Sequence, residues 1–149
     1  MEKIVWNDEF SVGVETMDVQ HQRILKIYNK LIDNAQADPS SETVSEVLAE
    51  MVEYASTHFK SEEQLLEDHE YPELKQQKDE HREFKQQAGE FCLLTLEQNE
   101  KMTHDLLNYL HDWWKDHILY KDKRYAAFLE AKRSLSKKDN GLNGKSSGI

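Results

Sequence analysis

The sequence contains very little of what stabilises small secreted domains or turn-rich β folds. One cysteine among 149 residues excludes an internal disulfide, and only two prolines and five glycines leave few places for tight turns. We expect the single thiol, that of Cys92, to be buried and structural because it falls in an apolar stretch. The composition favours long helices and therefore an all-α fold.

Positive charge and long apolar runs are also scarce. Nineteen basic residues against twenty-nine acidic residues give a formal net charge of -10, which disfavours binding to nucleic acid and to anionic membranes. No apolar stretch is long enough to cross a bilayer, and the first residues contain no signal-peptide core. The sequence therefore predicts a cytoplasmic protein without nucleic-acid binding or membrane insertion.

Four segments carry apolar residues at the spacing of amphipathic helices. The predicted boundaries are Asp18 as the N-cap of the first helix, a break at Asp38-Pro39-Ser40-Ser41 with Ser40 or Ser41 capping the second helix, a start at Tyr71-Pro72 for the third, and a weak stop at Gln98-Asn99. We predict an antiparallel up-down four-helix bundle with an N-terminal arm over residues 1–17. The bundle domain covers residues 1–131, and residues 132–149 are predicted to form a flexible polar tail.

Residues of metal-binding types interrupt the apolar stripes of all four helices. A buried histidine must satisfy two ring nitrogens and a buried carboxylate needs a cation, so these residues are unfavourable on an inward face unless they share a partner. One inward histidine alone is more often a hydrogen-bonded core residue, but here every helix carries one. The inward polar residues are His21, His58, Glu62, Gln77, His81, His117 and Asp122.

The residue types in this set indicate a dinuclear metal site. Imidazoles and carboxylates without thiolate suit iron, manganese or zinc. Five or six ligands exceed the four of a tetrahedral zinc, whereas two metals bridged by Glu62 and Asp122 would use all of them. His58 and Glu62 are four residues apart, and Gln77 and His81 repeat that spacing, so each pair lies on one helical face.

Several segments together resemble the hemerythrin family, and its bacterial members in particular. The resemblance extends over about residues 5–130, and the combined spacing of its motifs is highly specific. The matching segments are 5–14, 18–21, 58–63, Tyr71-Pro72 with His81, and 117–122.

The resemblance implies a non-haem protein with two iron ions (Fe2+/Fe3+), oxo- or hydroxo-bridged, that binds dioxygen reversibly for transport, storage or delivery. On this basis we expect a monomer that is not an enzyme, with an oxygen-consuming partner enzyme left unidentified. By similarity, His21 and His58 would hold one iron that keeps an open position. His81 and His117 would hold the other iron, and Glu62 and Asp122 would bridge the pair.

The chain departs from the family pattern at two positions. Gln77 stands where the family has the third histidine of the iron held by His81 and His117, and an amide oxygen is a weaker ligand than imidazole. Trp114 stands where the family commonly has leucine lining the oxygen pocket, and Ile118 is the other expected apolar wall.

Three alternatives to an oxygen carrier stay open at this point. A labile position at Gln77 would favour a di-iron oxidase or peroxidase-like protein. An oxygen or redox sensor is a second alternative, which the lack of an accompanying signalling module disfavours. The third is a bundle without metal, which would leave the inward polar residues unexplained. His69, His104 and His111 are assigned to no site.

Overall fold

The computed structural model describes the backbone of residues 1–37, 41–95 and 100–147, and within these ranges the regular elements are all helical. They are a short 3-10 turn at Asp8–Phe10, α1 Glu15–Ala37, α2 Ser41–Asp68, α3 Leu74–Leu94, α4 Glu100–Asp112, a π-helical segment Trp113–Asp122, and α5 Lys123–Ser147. The last three elements follow one another without a break and together form the fourth helix of the bundle. Contacts between α1 and α2, α2 and α3, α3 and α4, and α4 and α1 close the ring, which confirms the all-α up-down bundle.

Two apolar clusters fill the bundle and leave a polar layer between them. The larger cluster includes Phe59 of α2 and Ile118 of the fourth helix, and the smaller includes Leu66 and Tyr125 further along the same two helices. The predicted ligands lie between these clusters along the chain. Among the described residues, no helix has the combination of length and apolar content that a membrane span requires.

The predicted N-terminal arm is present and is fastened to the bundle at both ends. The backbone N–H of Ile4 donates to Asn29 Oδ1 at 2.9 Å, and Asn29 Nδ2 donates back to the Ile4 carbonyl at 2.8 Å. Lys123 Nζ donates to the carbonyl oxygens of Glu9 and Ser11, each at 2.8 Å. These bonds tie the start of the arm to α1 and its later part to the fourth helix, at the residue that follows Asp122.

Two predicted helix starts are wrong by two to four residues. α1 begins at Glu15 rather than after an N-cap at Asp18. The Asp18 carboxylate instead accepts the Ser11 hydroxyl at 2.5 Å and the Val12 N–H at 2.8 Å, so it anchors the arm. α3 begins at Leu74, because the residues after Tyr71 first form a turn. The predicted break at 38–40, the Ser40 cap and the stop at Gln98-Asn99 lie outside the described residues.

The burial predicted for Cys92 is wrong, because its side chain is exposed. The inward stripe of α3 continues through Ala88 and Phe91. Cys92 follows Phe91 by one residue, which rotates its side chain about 100° around the helix and out of the core.

The C-terminal region continues helix α5 to Ser147, so the predicted domain boundary after residue 131 does not coincide with a helix end. The side chains of residues 131–136 are exposed. The boundary and the flexibility of the tail stay predictions.

The fourth helix changes its winding where two predicted ligands lie. Trp113–Asp122 is π-helical, and the hydrogen bonds of a π-helix run between residues five apart. In an α-helix, His117 and Asp122 would point about 140° apart, because five residues make about 1.4 turns. The wider π turn brings both side chains to one face, and the amphipathic pattern did not predict this change.

Candidate metal centre

The structure brings the inward polar residues into one buried cluster. Three helices and the π-helical segment each supply part of it, and none of the residues is more than 3% exposed. Their exposed fractions are His21 0%, His58 1%, Glu62 0%, Gln77 3%, His81 1%, His117 3% and Asp122 0%.

The Glu62 carboxylate divides its two oxygens between two groups of histidines. Oε2 lies 3.3 Å from Nε2 of both His21 and His58. Oε1 lies 3.1 Å from His81 Nε2 on the other side. A carboxylate in this position can contribute one oxygen to each of two metal ions.

The Asp122 carboxylate is divided in the same way. Oδ2 lies 3.2 Å from His21 Nε2, and Oδ1 lies 3.2 Å from His117 Nε2. Two overlapping groups of potential ligand atoms result, each gathered within 4.8 Å. One consists of His21, His58, Glu62 and Asp122, and the other of Glu62, His81 and His117.

The histidine rings expose lone pairs to the centre of the cluster. His81 Nδ1 lies 2.9 Å from Glu63 Oε2, and His117 Nδ1 lies 3.0 Å from Glu80 Oε2. Carboxylates only accept hydrogen bonds, so each Nδ1 carries the proton and a neutral ring has its lone pair on Nε2. The two Nε2 atoms face each other at 3.2 Å. Two lone pairs in this position repel unless a proton or a metal ion lies between them.

Buried oxygens without a hydrogen-bond partner also indicate a cation. Glu62 Oε1, Asp122 Oδ2 and Gln77 Oε1 are shielded from solvent and have no hydrogen-bond partner. An orphaned buried acceptor is strongly unfavourable. Four imidazoles and two carboxylates are a donor set that iron accepts. The residues present therefore fit a pair of iron ions.

In the absence of a metal, protons balance the charges of the cluster. Burial opposes charge on His21, but Asp122 and Glu62 outweigh it and raise the pKa of His21 to about 9. Burial is likewise outweighed at His117, where Asp122 and Glu80 contribute to raising the pKa to about 10. Burial and the surrounding histidines also compete at Glu62, whose pKa lies well below its usual range. Metal ions would displace the ring protons on binding.

Aromatic rings fix the planes of the imidazoles. The Phe59 ring stacks on His81 with centroids 4.0 Å apart and planes 2° apart. Trp113 stacks on His117 at 3.9 Å and 10°. The rings cannot rotate without breaking these contacts, so the Nε2 atoms are held towards the centre.

The chain matches a known protein family over most of its length. The family described as "Hemerythrin HHE cation binding domain" matches residues 12–129. The chain belongs to the hemerythrin family. Hemerythrins hold a di-iron centre, and so this chain is a non-haem di-iron protein that binds dioxygen.

Individual hemerythrins are similar over most of the chain. The bacteriohemerythrin of Stenotrophomonas maltophilia is 33% identical over 131 residues, covering 88% of this chain and 84% of that protein. The bacteriohemerythrin of Clostridium acetobutylicum is 31% identical and covers 81% and 97%. A crystal structure of a hemerythrin mutant superposes with a TM-score of 0.71 at 26% identity, covering 85% of this chain and 97% of that one.

Sequence reasoning missed the residues that orient the hemerythrin histidines. Gln20 Oε1 accepts from His58 Nδ1 at 2.5 Å, and Glu63 and Glu80 hold the other two rings. Each of the three is adjacent in sequence to a predicted ligand on its own helix and reaches a histidine on a neighbouring helix. The available signal was an amide or acid directly beside three of the inward ligands, namely His21, Glu62 and His81.

Tyr125 is a fourth residue whose role was missed. Its fully buried hydroxyl donates to Glu62 Oε2 at 2.9 Å. Tyr125 lies three residues after Asp122 on the same stripe, where it was interpreted only as part of the apolar face. Burial and the Glu62 charge raise the pKa of Tyr125 well above its usual range, so the hydroxyl keeps its proton.

The two residues predicted to line the oxygen pocket are buried in the larger apolar cluster, Trp114 at 4% and Ile118 at 1% exposure. Trp114 lies beneath the arm. Its ring meets Phe10 edge-on at 5.3 Å and Trp6 at 6.4 Å. The arm therefore shields this side of the fourth helix from water, while the pocket itself stays a prediction.

Proposed function

We propose that the chain binds dioxygen reversibly at its di-iron centre and serves in oxygen transport, storage or delivery, without turning over a substrate. The proposed ligands are His21 and His58 for one iron, His81, His117 and Gln77 for the other, and Glu62 and Asp122 as bridges. A monomeric state and a cytoplasmic location are part of the proposal and rest on composition and resemblance alone.

The single observation that supports this proposal best is the division of each carboxylate between two groups of histidines. Glu62 and Asp122 each present one oxygen to either group, at 3.1 to 3.3 Å from the nearest ring nitrogens. A mononuclear site would leave half of these oxygens buried without a cation. Two metal ions would leave none of these oxygens without a cation.

The chain's own residues would bind the iron ions, orient the imidazole ligands and exclude water. Iron in the ferrous state supplies the electrons that dioxygen accepts on binding. Gln20, Glu63 and Glu80 orient the imidazoles, and the Tyr125 hydroxyl donates a hydrogen bond to Glu62 Oε2. Trp114 and Ile118 would form the dry wall beside the iron with the open position. Excluding water from such a site slows oxidative side reactions.

Reversibility is the property that separates a carrier from an oxidase. The protein is loaded anaerobically with Fe(II), exposed to air and then returned to vacuum or argon through several cycles. We expect an oxygen-dependent absorption band that appears and disappears in each cycle. One-way conversion with peroxide release would contradict the carrier and support the oxidase.

Gln77 is the residue on which the oxygen-carrier and oxidase hypotheses differ. Its Nε2 donates to Asp122 Oδ1 at 3.1 Å, and its Oε1 has no partner. Substitution Gln77→His should supply a third imidazole to the iron held by His81 and His117. We expect iron retention against a chelator to improve about tenfold or more, and autoxidation to become slower.

Gln76→His is the matched control, because Gln76 is the exposed neighbour on the same helix. It adds a histidine without adding a ligand and should leave both rates unchanged. If Gln77→His behaves like Gln76→His, the side chain at position 77 does not act on the metal.

A further inference from the structure

A groove of about 400 Å³ lies between α5, the end of α2 and the junction of the N-terminal arm with α1. Its volume falls in the range of about 300 to 1,000 Å³ that is typical of small-molecule sites. None of the proposed iron ligands lines it. The groove is therefore separate from the metal centre.

The floor of the groove is apolar. Val14, Leu65 and Leu129 form it, one from each of the three segments that meet there. Leu129 is buried in the smaller apolar cluster, and Val14 and Leu65 pack against that cluster. Val14 and Leu65 are only half-buried, so part of each side chain remains accessible. Covering this apolar surface with an apolar ligand is favourable.

One face of α5 supplies the rim of the groove. Leu129, Lys132, Arg133 and Ser136 follow the i, i+3, i+4, i+7 spacing that places residues on one side of a helix. The last three are exposed. The inward stripe of the fourth helix thus changes from apolar to cationic at the edge of the groove.

The two cations of the rim are held mainly by uncharged groups. Lys132 Nζ donates to the backbone carbonyl of His69 at 2.6 Å and lies 5.8 Å from the centroid of the Phe128 ring. It forms no ion pair with any carboxylate in the part of the chain that the structure describes. Arg133 donates to the Gly13 carbonyl at 3.4 Å, and its one acidic partner is Glu130 at 3.5 Å in an exposed pair. The rim therefore presents positive charge in a chain whose net charge is -10.

His69, which the sequence assigned to no site, adds a polar group to the groove. Its Nδ1 donates to the Leu65 carbonyl at 2.9 Å, since a carbonyl oxygen can only accept. The ring is half-buried at the groove wall. This bond fixes the ring and leaves Nε2 as its second polar atom.

We propose that the groove binds a small amphipathic carboxylate of the fatty-acid type. The acyl chain lies on the apolar floor, and the carboxylate lies between Lys132 and Arg133, which donate charge-assisted hydrogen bonds to its oxygens. A bare anion would leave the floor uncovered, and an apolar cation would be repelled by the rim. The site requires no metal, so it stands apart from the proposed oxygen binding.

Isothermal titration calorimetry of the full-length, iron-loaded protein tests the proposal with octanoate as the probe. Acetate carries the carboxylate without the chain, and octylammonium carries the chain with the opposite charge. We expect octanoate to bind at least about tenfold more tightly than either, because each buried methylene group contributes about fourfold in affinity. The affinity should be the same in the chelator-treated chain, whereas a carboxylate bound at the metal would lose it.

Lys132→Gln removes one charge of the rim and keeps most of the side-chain length. We expect the affinity for octanoate to fall about two- to fivefold, the effect of losing one partly exposed charge pair. Lys85→Gln is the matched control, because Lys85 is an exposed lysine on α3, which does not line the groove. It should leave the affinity unchanged, and the Tm of both variants verifies that they are folded.

Three results would overturn the proposal. They are equal binding of octanoate and octylammonium, binding of acetate as tight as that of octanoate, and equal affinity of Lys132→Gln and Lys85→Gln for octanoate. Loss of octanoate binding on metal removal would also overturn it, since the ligand would then lie at the metal centre. A chain that binds octanoate but takes up no iron would contradict the proposed function alone.

Discussion

Replacing Glu62 with alanine is expected to abolish the paired metal site and not half of it. Its two oxygens face His21 and His58 on one side and His81 on the other, so one substitution removes a ligand from both ions. We expect the affinity for each iron to fall by more than about 100-fold, since loss of an outer hydrogen-bond partner alone costs about 10- to 100-fold. Iron per chain, measured after desalting, should fall from about two to near zero.

Glu67→Ala is the matched control for this substitution. Glu67 is an exposed glutamate on the same helix, and its loss should leave two irons bound. Glu62→Gln separates charge from shape, because the amide keeps most of the volume and one acceptor oxygen. Retention of one iron with an unchanged spectrum in Glu62→Ala would show that Glu62 is a ligand of one ion rather than a bridge.

Removing the metal is expected to loosen the whole bundle. The cluster contains buried oxygens without hydrogen-bond partners and facing ring nitrogens, which a cation stabilises and which protons balance only in part. A ligand at about 100 times its dissociation constant stabilises a fold by about 2.7 kcal/mol. For a chain of this size that corresponds to a fall in Tm of roughly 5 to 10 °C on metal removal.

Differential scanning calorimetry of the iron-loaded and chelator-treated protein measures this shift. Glu62→Ala, which lacks the bridge, should melt at one temperature whether or not iron is present. Equal melting temperatures of the loaded and metal-free native chain would mean that the inward residues are satisfied without metal.

The candidate ligands were predictable from sequence because helical periodicity is a local property. His58 and Glu62 lie four residues apart on an apolar stripe, and that spacing alone places both side chains on the inward face. The same periodicity located the inward faces of the other helices. It failed at Cys92. In an apolar stretch near a helix end, the pattern does not specify which of two adjacent residues points into the core, and here Phe91 is buried while Cys92 is exposed.

The orientation of the ligands was not predictable in this way. Gln20, Glu63 and Glu80 occupy positions just beside the inward stripe and act on histidines of other helices. Such contacts depend on how neighbouring helices are rotated and staggered, which no single helix encodes. Tyr125 was likewise visible only as an apolar position until its hydroxyl was found on Glu62.

The sequence by itself determined the all-α class, the four amphipathic stripes and the residue types of a dinuclear centre, because each follows from composition and from spacing within one helix. Only the tertiary structure decided which oxygen of Glu62 and Asp122 faces which histidine, since those distances join different helices. It also decided the π-helical winding that brings His117 and Asp122 to one face. The local pattern there is compatible with an α-helix, and the buried cluster as a whole selects the wider turn.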